Sequence, residues 1–180
     1  MSQSSLEVPA SVTFEQAIAL TQSLLSQLEA GSLTEADIAT VISVISALVK
    51  TENGARGFFV TYLTSASSLA DSPSTAVIEA LRSSPEIVAE LLVKNLAMST
   101  AQAIFHRRQQ KEDMAKGSKQ VSHRTTKLIQ LVDLPSVRDR AQQLFHSAKS
   151  GEGNYKAFLE RWNYDREQRQ AIYQALEQIK

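Results

Sequence analysis

The apolar positions fall into runs with a period near 3.6, each opened by a capping residue and closed by a polar or glycine-containing turn. This pattern predicts an all-α chain. The first run starts at Thr13, which with Gln16 forms a capping-box pair, each side chain satisfying a backbone donor that the first helical turn leaves open. Phe14, Ile18, Thr21, Leu25 and Leu28 keep helical spacing up to Gly31, whose tolerance of positive φ suits a helix C-terminus. Thr34 and Asp37 repeat the starting signal, and Ile38, Val41, Ile42, Ile45, Leu48 and Val49 mark one face of a second run. That run is rich in β-branched residues, so a strand competes. Its period is nearer 3.6 than 2, and residues 34–50 outrun an ordinary strand.

Asn53-Gly54 predicts a turn, and Gly57 loosens the start of a third helix over residues 58–63. Residues 65–75 read as a loop, with Pro73 introducing a short helix through Leu81. Ser84-Pro85 is an N-cap followed by proline at the first helical position, where its missing donor costs nothing. Residues 85–105 are then apolar on nearly every side, the profile of a helix surrounded by others. The stretch approaches the length of a membrane span, but Glu90, Lys94 and Asn95 interrupt it, and it reads as a buried core helix.

Leu128, Ile129, Leu131 and Val132 return to the core and end at Asp133-Leu134-Pro135. A further amphipathic helix spans 136–149 and closes at Gly151-Glu152-Gly153. Two short helices carry Tyr155, Phe158 and Trp162, then Ile172, Leu176 and Ile179. The expectation is a single compact multi-helix bundle of about eight helices. A disordered tail (1–12) precedes one all-helical domain (13–180), built around a buried central helix (85–105) with a polar, basic helical arm (106–127). No period of 20–50 residues recurs, which excludes the helical-repeat arrays.

Composition changes this picture locally rather than globally. The 180 residues hold 19 Lys+Arg and 19 Asp+Glu, so no overall field favours a polyanion or an anionic membrane. The balance is uneven along the chain. Residues 106–127 carry seven Lys/Arg (Arg107, Arg108, Lys111, Lys116, Lys119, Arg124 and Lys127) against Glu112 and Asp113, and the acidic first fifty residues compensate. Within this arm Met114, Val121 and Leu128 recur every seven residues, a thin apolar seam against some neighbour. The absence of cysteine removes disulfides and thiolate chemistry and fits a reducing compartment. Residues 1–12 lack the basic start and apolar centre of a secretory signal, so a soluble cytoplasmic protein is expected.

Candidate chemistry is sparse. None of His106, His123 and His146 has a carboxylate three or four residues before it, so the helical metal motifs are missing and no metal or cofactor is expected. No nucleophile elbow or Ser-x-x-Lys motif occurs, and Glu112-Asp113 point about 100° apart on a helix, so no enzyme is predicted. Gly54-Ala55-Arg56-Gly57 has the spacing of the backbone-clamping loop of KH domains, but that fold needs strands, and none is predicted.

A non-catalytic helical protein-interaction or assembly module is therefore expected, with an acidic protein surface as partner and self-association open. The partner-binding candidates are Arg107, Arg108, Lys111, Lys116, Lys119 and Arg124, with Trp162 and Tyr164 as the aromatics expected to be partly exposed. One alternative is a nucleic-acid-binding regulator. Residues 128–132, the turn at 133–136 and the helix at 136–149 form a helix–turn–helix pattern, with Arg138, Arg140 and Gln142 near the second helix's start. The other alternative is an enzyme or small-ligand binder with a cavity between helices.

Overall fold

A computed structural model of the chain describes residues 6–31 and 34–179. The first five residues of the expected tail lie outside the described residues, and Val12 near its end is buried. The fold is all-α, with nine α-helices and no strand among the described residues. Contacts divide the chain into two compact units, Met1–Val88 and Ala89–Lys180.

The first unit contains α1 (Phe14–Glu29), α2 (Glu35–Leu48), α3 (Glu52–Thr64), a 3-10 turn (Ser68–Ala70) and α4 (Thr75–Arg82). Both capping boxes form: Thr13 with Gln16 opens α1, and Thr34 with Asp37 opens α2. The β-branched run is helical, because a side-chain cap and a burial stripe through Val41, Val44, Ile45 and Leu48 both favour a helix. Ile38, at the start of the expected apolar face, is 43% exposed. Two glycine readings are corrected. Gly31 does not take positive φ, since α1 ends on the αR residue Ala30. Asn53-Gly54 is no turn but the first turn of α3, where the Gly54 amide donates to the Thr51 side chain.

Gly57 also lies inside α3, and a Cβ there would stand 2.4 Å from the Ala17 Cβ and 2.8 Å from the Phe14 carbonyl oxygen. Its missing side chain lets α3 press onto α1, and the two helices pack closely along their length. Phe58 stacks on Tyr62 at 5.2 Å and meets Phe59 edge-on at 5.3 Å, which fills the core beside that contact.

The second unit takes most of α5 (Pro85–Arg108), with α6 (Glu112–Val132), α7 (Pro135–Ser150), α8 (Lys156–Arg161) and α9 (Arg166–Glu177). α5 starts at the expected proline but runs three residues beyond Phe105, so Arg107 and Arg108 belong to its last turn. There three basic side chains face the negative end of the helix dipole. Among the described residues α5 alone is long and apolar enough to cross a membrane, and 56% of that window is buried inside the fold. Val88, Ala89, Leu92, Val93, Leu96, Ala97 and Ala101 are fully enclosed.

α6 runs unbroken through Gly117, because a helix of 21 residues tolerates one exposed glycine at a cost of about 1 kcal/mol. Asp133, in the left-handed region at φ 45°, turns the chain into α7, whose first residue is Pro135. Gly151 at φ 80° ends α7 and donates its N–H to Ser147 O. The buried Ser147 hydroxyl then accepts from the Tyr155 amide and ties the following loop down.

Candidate functional site

The chemistry of the second unit is distributed around α5. On one side Glu90, 27% exposed, accepts from Lys94 at 2.7 Å, Arg140 at 2.7 Å and the Tyr155 hydroxyl at 2.6 Å. Burial pushes the Glu90 carboxyl up, but the hydrogen bonds from Lys94 and Tyr155, with the charges of Lys94 and Arg140, outweigh it and hold the group below the usual glutamate value. Burial and the adjoining carboxylate push the Tyr155 phenol up to about 12. This is a satisfied network joining α5, α7 and the start of α8, with no free reactive atom. Further along α5, Gln102 Oε1 and His106 Nδ1 are buried without a hydrogen-bond partner among the described residues.

At the end of α5, Arg108 pairs with Asp165 at 2.5 Å and with Glu167. Asp165 is also the N-cap of α9 and forms its capping box with Gln168. The bond from Arg108, then that from the Gln168 amide, hold the Asp165 carboxyl below the ordinary aspartate range. Gln168, itself buried, donates from Nε2 to Ala101 O at 3.2 Å and so seats α9 against α5.

Between α5, α6 and α9 lies an open trough of about 680 Å³. α5 contributes Thr100, Ala103, Ile104 and Arg107; α6 contributes Lys119, Ser122 and His123; α9 contributes Glu167, Gln170, Ala171 and Gln174. Each set follows the three- and four-residue spacing of one helix face. Among these residues, Ala103 and Ile104 are buried, whereas Arg107, Lys119 and His123 are exposed.

The expected site residues are distributed as follows. Arg107, Lys111, Lys116 and Lys119 are exposed, and Arg107 and Lys119 share the trough. Arg108 is exposed but held by two carboxylates. Arg124 is 1% exposed, the largest fully buried side chain, because α6 turns its face inward there between Val121 and Leu128. It therefore does not lie on an accessible basic surface. Trp162 is 44% exposed, as expected, whereas Tyr164 is 8% exposed. Asn163 at φ 50° reverses the chain and folds Tyr164 inward, where its ring meets Phe158 edge-on. Of the nucleic-acid candidates, Arg138 pairs with Asp133 at 2.6 Å and Arg140 with Glu90, while Gln142 is exposed.

The apolar seam of α6 is covered by degrees. Leu128 is fully buried, Val121 half-buried and Met114 51% exposed. Sequence reasoning missed Thr100, Ser122, His123, Glu167, Gln170 and Gln174 as neighbours. The signal available was the recurrence of polar residues at helical spacing on α9, which an isolated amphipathic helix also shows.

Comparisons with curated proteins and with solved structures give no significant match. The family described as uncharacterised conserved protein UCP020893 matches residues 13–179, nearly the whole chain. The chain belongs to that family.

Proposed function

We propose that the chain is a non-catalytic, soluble helical interaction module that docks a protein partner on the N-terminal end of α6. The observation that carries this reading is the seam. A seven-residue apolar repeat that is enclosed at Leu128 and half-buried at Val121 surfaces at Met114. Lys111, three residues before Met114, shares its face, and Lys116 adds a second exposed cation nearby. An apolar anchor bordered by cations suits a partner segment with an apolar side chain between carboxylates. The anchor supplies burial, and the charges supply encounter rate and orientation. The cysteine-free composition supports a reducing, cytoplasmic setting.

A nucleic-acid role has less support. Arg138 and Arg140 already spend their charge on Asp133 and Glu90, and a phosphate would have to compete with those carboxylates.

The test is affinity capture with the full-length chain. It compares the native protein with a Lys111→Ser, Met114→Ser, Lys116→Ser triple variant and with Lys50→Gln, an exposed lysine in the other unit. The reading expects a partner recovered by the native and Lys50→Gln proteins and lost with the triple variant. Equal recovery by all three would contradict it. Light scattering on the purified chain shows whether the partner is a second copy.

A further inference from the structure

We propose that the trough between α5, α6 and α9 binds a small phosphate monoester of a hydroxylated compound, of the sugar-phosphate class. Its volume of about 680 Å³ falls within the range of about 300–1,000 Å³ common to small-molecule sites. The charge in it is specific. Glu167, the one carboxylate among its lining residues, pairs with Arg108, which it shares with Asp165. Arg107 and Lys119 enter from two different helices with no ion-pair partner among the described residues. Arg107 and Lys119, neither in an ion pair among the described residues, offer two charged donor groups to a phosphate monoester, which carries roughly −1.5 to −2 near neutrality. Arginine supplies planar paired donors and lysine a point charge, a combination suited to phosphate oxygens.

The remaining surface suits the body of such a ligand. The Thr100 hydroxyl donates to Leu96 O at 2.7 Å and lies 3.5 Å from the Ser122 hydroxyl, which leaves one lone pair to accept from a ligand hydroxyl. Gln170 and Gln174 bring side-chain amides with no hydrogen-bond partner among the described residues. Ala103 and Ala171 add small apolar side chains to the lining, against which the carbon face of such a ligand can lie. Arg107 also complements the C-terminal dipole of α5, but that long-range interaction occupies none of its donors. The trough is separate from the Met114 end of α6, so the two proposals stand independently.

The experiment is isothermal titration of the full-length protein with ribose 5-phosphate, ribose and inorganic phosphate, at low and at physiological ionic strength, with far-UV circular dichroism to verify each variant's fold. Saturable one-site binding of ribose 5-phosphate is expected, with none for ribose. Arg107→Gln and Lys119→Gln should each weaken it by about tenfold or more, the scale of a lost hydrogen bond to a charged group. Ala171→Leu, or Gln174→Phe if the first does not fold, should abolish it by filling the trough, and Lys50→Gln should leave it unchanged. Absence of saturable binding by the native protein overturns the proposal. So does binding that survives the trough-filling substitution, which would mean only diffuse attraction to surface cations.

Discussion

Gly57 and Gly117 are both helical glycines, and the chain uses them in opposite ways. At Gly57 an added methyl group would enter the Ala17 side chain and the Phe14 backbone, neither of which can yield without moving α1. Gly57→Ala should therefore cost about 1–3 kcal/mol, the usual range for overpacking a fitted contact. At Gly117 a Cβ would meet nothing within 4 Å. Gly117→Ala should stabilise by about 0.5–1 kcal/mol, because alanine loses less backbone freedom on folding. Urea denaturation of both variants checks the pair. A neutral Gly57→Ala would show that α1 and α3 do not cross as closely as described. Glycine was read in the sequence as punctuation, and that reading holds at Gly151, where φ is positive. It fails at Gly54, where a Cβ would strike the Leu48 carbonyl at the end of the preceding helix, and at Gly57, where it would strike Ala17, a contact with a distant residue that local spacing does not display.

At the scale of elements, Glu90 is the polar joint of the second unit, accepting from side chains on α5 and α7 and at the start of α8. Its carboxyl is held below the ordinary glutamate value of 4.5. A group depressed in the folded state contributes stability that is present above its unfolded value and lost as pH falls through the folded one. Glu90→Gln should destabilise by about 1–2 kcal/mol near neutrality, as expected for weakening hydrogen bonds to a charged acceptor. The deficit should shrink as pH falls below 4.5, because native Glu90 then takes up a proton and loses the same advantage. Thermal melts of both proteins from neutral to acidic pH measure this, and parallel curves would contradict it. The element boundaries were largely legible. Caps at Thr13 and Thr34 and the proline at 85 fixed helix starts, since capping is local chemistry. The fates of Arg124 and Tyr164 were not legible. Each depends on which way a helix face or a turn directs one side chain into neighbours supplied by other parts of the chain.

For the whole molecule, the family match over residues 13–179 carries no activity with it, so the functional account rests on what the second unit presents. Two features stand out on the former basic arm: the trough with Arg107 and Lys119, and the seam that surfaces at Met114. The arm's charge was visible in the sequence. Its division into a buried arginine, a carboxylate-bound arginine and a few available cations was not, because ion pairing such as Arg108 with Asp165 joins residues far apart in sequence. The central claim is that the uncovered end of α6 is where a partner docks. The most direct measurement is hydrogen–deuterium exchange of the chain alone and within its purified complex. The account predicts slowed exchange across residues 112–121 on complex formation, with Met114 at the centre. Unchanged exchange there, with protection elsewhere on the chain, would contradict it.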